Sequence, residues 1–304
     1  MLSYAKIKNK PRVFRCLTGL TIPAFLHLLP AFVRVYEQAL DQQDARRQCP
    51  RQRRRGGGRK SVLATIEDKL LFILVYFRLY PLQEVQGFLF QFGQPQANEW
   101  IHRLTPLLNA ALGYEKQLPA REAADLEQIL TRCPGLEFII DGVERPIQRP
   151  KDPQRQRECY SGKKKRHTVK NIVVTDKRSK KVKGLGSTQV GKKHDKAATD
   201  EEGYRFPQGS QLWKDTGFQG YEPEHTTTHQ PKKKPRGGEL TALERAQNQA
   251  ISSVRIRVEH SIGGVKVYHI AQDVYRNHRQ NFDDMLMETA CGLHNLRLDY
   301  PLAA

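Results

Sequence analysis

Three acidic residues stand where a carboxylate is costly unless something binds it. Leu136-Glu-Phe-Ile-Ile-Asp141-Gly142 is an apolar run closed by a single acid, and it reads as a buried strand whose last side chain emerges at the sheet's edge. Gln211-Leu-Trp-Lys-Asp215-Thr-Gly217 repeats that pattern, and Arg255-Ile-Arg-Val-Glu259 sets a glutamate inside a helix-like run. If Asp141, Asp215 and Glu259 meet, their hard oxygens suit a pair of divalent ions. Such ions make an attacking water or 3′ hydroxyl more acidic and stabilise the charge on a leaving phosphodiester oxygen. Residue types alone select weakly, because a chain with 32 acids offers many triples and an Asp at a strand end commonly serves a turn or cap.

Composition favours a phosphate-bearing partner. The chain has 304 residues, and its 51 Lys plus Arg against 32 Asp plus Glu leave a net charge of +19. Neutralising phosphates with such an excess releases counterions and gives sequence-independent affinity, so nucleic acid is the first expectation and an anionic membrane surface the second. The longest apolar run, Leu70 to Phe77, is far short of the roughly 20 residues of a spanning helix. Leu17 to Val33 is uncharged and follows basic residues, but Thr18, Thr21, Pro23, His27 and Pro30 interrupt it and no small-x-small cleavage site follows. Cys16, Cys49, Cys133, Cys159 and Cys291 are scattered without a C-x-x-C, which points to a reducing compartment, the cytoplasm, and to no zinc knuckle.

The elements that must position the acids divide the chain. Residues 1–45 form an N-terminal helical segment in which Thr21 caps a helix carrying Phe25, Leu28, Leu29, Phe32 and Tyr36. Residues 46–60 form a basic Arg/Gly linker, and Arg53, Arg54 and Arg55 beside Gly56-Gly57-Gly58 suit a phosphate backbone. Residues 61–115 carry three helical patterns with short turns, a helix-turn-helix region whose third helix would present Gln96, Asn98, Glu99, His102 and Arg103 to a major groove. A plain three-helix bundle fits the same pattern. Residues 116–132 read as a polar linker, and 133–304 as a mixed α/β domain. Its strands fall at about 136–141, 167–175, 182–190 and 212–215, with a helix near 196–202, an exposed loop at 222–238 and a long helix from about Leu240. Between Lys151 and Lys183 thirteen Lys or Arg face three acids, and this belt includes Lys163, Lys164, Lys165 and Arg166.

Specific stretches add a resemblance. Asp141-Gly-Val-Glu-Arg-Pro-Ile-Gln-Arg-Pro150, Tyr160-Ser-Gly-Lys-Lys-Lys-Arg-His-Thr-Val-Lys170, Gly191-Lys-Lys-His-Asp195 and Asp215-Thr-Gly-Phe-Gln-Gly-Tyr221 occur in this order. With Arg255, Glu259 and Lys266 they resemble the catalytic domain of bacterial insertion-sequence transposases of the DDE superfamily and of the related Harbinger-type elements. The resemblance implies an RNase H-like catalytic domain, a mixed sheet flanked by helices, preceded by an all-α helix-turn-helix region. It implies that Asp141, Asp215 and Glu259 are the catalytic, metal-binding triad for Mg²⁺ or Mn²⁺, as two ions, and that Arg255 and Lys266 contact DNA near the cleaved phosphate. The implied activity is cleavage at terminal inverted repeats and 3′-OH transfer to target DNA by a homodimer on double-stranded DNA, without a membrane partner and in association with the nucleoid. Ser252 stands where the family usually has Tyr. Gly263-Gly264 would weaken the helix before Lys266 and kink it, and Asp195 reads as a helix start. A non-catalytic DNA-binding descendant and an RNase H-like nuclease without strand transfer are the alternative functions.

Overall fold

The computed structural model describes residues 1–49, 61–234, 238–277, 279 and 281–301. Most of the basic linker, including Arg53, Arg54 and Arg55, lies outside the described residues. The N-terminal helices are α1 (Tyr4–Ile7), α2 (Pro11–Thr18) and α3 (Ile22–Ala45), the last capped by the Thr21 hydroxyl, which accepts from the Ala24 amide. Then come α4 (Ile66–Leu79), α5 (Gln83–Phe90) and α6 (Gln94–Tyr114). The apolar run of α4 is buried on every side from Asp68 to Phe77, which makes it the central helix of the core rather than a one-faced helix.

Residues 116–132 are not a linker. They carry α7 (Ala123–Thr131), and Leu126 and Leu130 on it are fully buried beneath the sheet with Phe138 and Ile140. Ala120 also pairs with the strand backbone at Gly184. Two apolar residues four apart are enough to seat a short helix when its other face is charged.

The α/β half runs β1 (Glu137–Pro146), α8 (Pro153–Cys159), β2 (Tyr160–Ser161), β3 (Arg166–Asp176), β4 (Val182–Leu185), β5 (Gln189–Val190), α9 (Asp195–Glu202), β6 (Ser210–Trp213), β7 (Thr226–His229), α10 (Ala242–Lys266) and α11 (Phe282–Asp299). Among the described residues the sheet order is β2-β3-β1-β6-β7, with β4 and β5 also on β3. β1 is antiparallel to β3 and parallel to β6, and β6 is parallel to β7. This mixed, helix-flanked sheet is an RNase H-like fold. The stretch 222–238, expected as an exposed loop, contains the edge strand β7, where Thr-Thr-Thr-His supplies β-branched residues and the His229 ring stacks on Trp213 at 4.6 Å.

Helices cover both faces of the sheet. α7 and α9 pack on the Phe138 and Ile140 side. α10 packs on the other side through Val258, which meets Ile139 and Trp213. α11 joins one continuous core with α3, α4 and α6, so the helical and α/β halves share buried surface. α10 continues through Gly263-Gly264 as one helix to Lys266. Gly264 lies against the His294 ring on α11 where a side chain would collide, so this glycine serves close helix approach. No single described helix is long and apolar enough to cross a membrane.

Candidate active site and DNA interface

Asp141 is not the last residue of its strand. β3 pairs with β1 from Phe138 to Pro146 and keeps it extended, with Asp141 opposite Val173. On the other side, pairing with β6 ends at Ile139 and Trp213. Asp141 and Asp215 therefore each lie two residues beyond the last pair of adjacent parallel strands, at matching height. This is where a doubly covered sheet opens beyond its carboxyl ends.

Each acid is oriented by its own turn. The Gly142 amide donates to Asp141 Oδ1 at 2.8 Å. The Thr216 amide donates to Asp215 Oδ1 at 2.6 Å, with Asp215 capping a short 3-10 turn over Thr216–Phe218. Behind that turn, buried Lys214 donates to the Tyr221 carbonyl and pairs with Glu222 at 2.6 Å, fixing the far end of the loop. From α10, the Arg255 guanidinium reaches Asp215 Oδ1 at 3.3 Å. Burial pushes the Asp141 carboxyl up to about 6; the Gly142 amide and Arg255 pull it back, while Asp215 and Asp195 push it further up. A cation at this position would relieve an ionised group that the fold holds at a cost.

Glu259 stands apart. It is exposed on α10, one turn beyond Arg255 and next to buried Val258. Among the described residues no three His, Cys, Asp or Glu side chains form a group that could hold a metal ion. The structure thus brings together two of the three expected acids, and Arg255 supplies their counter-charge. Ser252 is also exposed, on the same helix.

Lys266 ends α10 and lines a cavity of about 480 Å³ with Glu144, Lys164, Arg166 and Thr168. Burial lowers the Lys266 pKa, and Lys164 lowers it further, against the opposing pull of Asp141 and Glu144. The basic belt is not a plain solvated loop. It folds into α8 and the β2–β3 hairpin, whose turn leaves Lys163, Lys164, Lys165 and Arg166 exposed.

The expected recognition helix is α6, whose apolar face (Ala97, Ile101, Leu104, Leu108, Ala111 and Leu112) is buried among α3, α4, α5 and α11. Gln96 is exposed in its first turn, where helix-turn-helix proteins touch bases. His102 is half-buried. Its ring packs 4.8 Å from Phe282 and its Nε2 faces Asn277 Nδ2 at 3.4 Å, in the seam between α6 and the C-terminal part of the chain. Arg103 is exposed, with its guanidinium over the rings of Trp100 and Tyr36 at 5.3 and 5.6 Å. The helical pattern could not separate these cases, because an amphipathic period does not reveal that a distant helix covers a polar position.

Comparison with known proteins agrees with this geometry. The family profile described as DDE superfamily endonuclease matches residues 140–295, half of the chain. The chain belongs to the DDE endonuclease superfamily. A second profile, the helix-turn-helix of DDE superfamily endonuclease, matches residues 61–113. The chain is similar to a protein described as "Probable transposase for insertion sequence element IS702" from Microchaete diplosiphon, with 26% identity over 235 residues, 77% of this chain and 81% of that protein. No solved structure matches it. The chain is therefore a transposase-family member with a helix-turn-helix upstream of its DDE endonuclease domain, and chains of this superfamily generally use divalent metal ions.

Sequence reasoning gave Asp195 only a helix start and passed over Lys170 and Lys214. Asp195 does open α9, but its carboxylate also lies against Gly142 and Gly217, beside both acids. Its place in Gly191-Lys-Lys-His-Asp195, one of the matching motifs, was the signal that could have found it. Lys170 ends the matching stretch Tyr160–Lys170 and Lys214 directly precedes Asp215, but nothing in the sequence shows that these two lysines are buried.

Proposed function

We propose that this chain is an active transposase that binds the terminal inverted repeats of its element and carries out metal-dependent strand cleavage and 3′-OH transfer into target DNA. The observation that carries this reading is the pair Asp141 and Asp215, at one height on adjacent parallel strands beneath Arg255. Their hard oxygens fit Mg²⁺ or Mn²⁺, and the raised Asp141 pKa fits a site that favours a cation. Glu259 is the third carboxylate of the proposed set, recruited on DNA binding. Two bound ions would supply an activated hydroxyl and a stabilised leaving oxygen.

The chain's own residues do the rest. Arg255 and Lys266 hold the phosphates flanking the scissile bond. Lys163, Lys164, Lys165 and Arg166 grip the backbone beyond it, and the linker arginines Arg53, Arg54 and Arg55 extend that track. Residues 61–115 read the repeat through the first turn of α6, with Gln96 at a base edge and Arg103 at the backbone. Residues 133–304 form the catalytic domain and 1–45 a helical support. Two ends must be paired, so the working form is a homodimer on DNA, in the bacterial cytoplasm with the nucleoid. The matching families favour neither a non-catalytic descendant nor a plain nuclease.

The test is a supercoiled plasmid carrying the element's ends, incubated with Mn²⁺. Asp215→Asn is expected to abolish nicking and strand transfer while leaving end binding within twofold. Full cleavage by that variant would remove Asp215 from the chemistry.

A further inference from the structure

Gly142 follows Asp141, and its α-carbon faces the side of the sheet opposite the Asp141 side chain. The group it meets there is the Asp195 carboxylate. A Cβ on Gly142 would lie 3.2 Å from Asp195 Oδ1, and a Cβ on Gly217 would lie 2.8 Å from Asp195 Oδ2. Neither glycine is among those with positive φ. They are therefore needed for space, not for backbone conformation. The two oxygens of one carboxylate thus rest on the backbone beside both candidate metal ligands.

An acid in the first turn of a helix ordinarily serves the helix dipole. Asp195 does more, because its position is fixed from the strand. Lys170 of β3 has a side chain only 7% exposed, and its Nζ lies 2.9 Å from Asp195 Oδ1. The same ammonium donates to the Lys193 carbonyl at 2.6 Å, just before α9. A buried ammonium with two fixed acceptors is an anchor, and losing its carboxylate leaves an uncompensated charge.

We propose that Asp195, anchored by Lys170, is a positioning residue that sets the spacing of Asp141 and Asp215 from the far side of the sheet. Its carboxylate is a wedge between the strand that carries Asp141 and the turn that carries Asp215. It acts through Gly142 and Gly217. This inference rests on the reading of Asp141 and Asp215 as metal ligands, and its test has one arm that needs no metal.

The experiment compares the full chain with Asp195→Ala, Asp195→Asn and Lys170→Met. The first arm titrates Mn²⁺ without DNA and reads free Mn²⁺ by electron paramagnetic resonance. The second follows amide hydrogen exchange at Gly142 and Thr216, the two amides that donate to the acids. Asp195→Ala and Lys170→Met are expected to weaken Mn²⁺ binding about tenfold, the usual cost of a lost outer-shell partner, and to speed exchange of both amides. Melting temperature falls in both variants, because each strands one charge of the buried pair, while amide exchange within α3 and non-specific duplex binding stay at wild-type values. Asp195→Asn keeps the volume and an oxygen toward Lys170, so it restores both readouts. Should Asp195→Ala fail to fold, Gly217→Ala, which drives a methyl against Asp195 Oδ2, replaces it with the same expectations. Wild-type protection of both amides in Asp195→Ala overturns the wedge and leaves a helix start. An Asn variant as defective as Ala overturns it too, since the charge itself would then be required at the metal. A wild-type chain that binds no Mn²⁺ defeats the metal reading alone, and the exchange arm still decides the wedge.

Discussion

Asp141→Asn separates the energetic cost of this site from its chemistry. Burial raises the Asp141 carboxyl from the ordinary 3.8 to about 6. At about 1.4 kcal/mol per pH unit, the ionised form is about 3 kcal/mol less favourable in the folded chain than in the unfolded one. Because the folded value is the higher one, this group's contribution to stability is fully present below pH 3.8 and is lost as the pH rises through 6. Metal-free wild type should therefore lose about 3 kcal/mol from this residue between acid and neutral pH. Asn cannot ionise and still accepts from the Gly142 amide. In urea denaturation with EDTA, followed by circular dichroism, the variant should match wild type near pH 3.5 and exceed it by about 3 kcal/mol at pH 7.5. Divalent metal at pH 7.5 should nearly close that gap, adding about 2.7 kcal/mol to wild type at a hundredfold excess over Kd and little to the variant. A stability difference that is the same at both pH values would refute the burial argument. Equal gains from Mn²⁺ in the two proteins would refute Asp141 as a ligand.

Other perturbations probe the scaffold and the DNA surfaces. Gly264→Ala forces a methyl into the His294 ring and should destabilise by about 1–3 kcal/mol in the same denaturation assay, as overpacking does. Neutralising Lys163, Lys164 and Lys165 together should weaken duplex binding and flatten the slope of log affinity against log salt by about 0.9 per lost phosphate contact; an unchanged slope would mean these side chains touch no phosphate. His102→Ala should lower stability by about 1–2 kcal/mol through the lost Phe282 contact, with end-sequence preference in a binding-site selection unchanged. Gln96→Ala should do the opposite, altering preference and leaving stability alone.

Where the sequence was legible, local pattern and tertiary role coincided. The strands around 136–141 and 167–175 and the helix after Leu240 carry apolar residues at the period of their element, and they occur as β1, β3 and α10. α7 was hidden because Arg121, Glu122, Asp125 and Glu127 surround Leu126 and Leu130, and a charged exposed face outweighs two buried leucines in any composition window. β7 was hidden because its hydrogen bonds come from a parallel neighbour, β6, which no hairpin signal announces. The packing of the helical half against the α/β half was hidden for a related reason. An apolar face states that it must be covered, not by what, and α11 covers part of α6 from more than 170 residues away, as the Asn109 contacts to Glu288 and Thr289 illustrate.

The site follows the same logic. Asp141 and Asp215 could be found because each ends an apolar run, and a charge in that setting is conspicuous along the chain. Lys170 and Lys214 could not, because a buried lysine looks like a surface lysine until its partner is known, and the partners lie across strands or loops. The acids lie toward α10, where Arg255 meets Asp215, while the groups that hold their turns approach from behind. A substitution that preserves every acid can therefore still disable the arrangement. Gly217→Ala is the clearest instance, since it leaves Asp141, Asp215 and Glu259 intact and alters only the contact with Asp195.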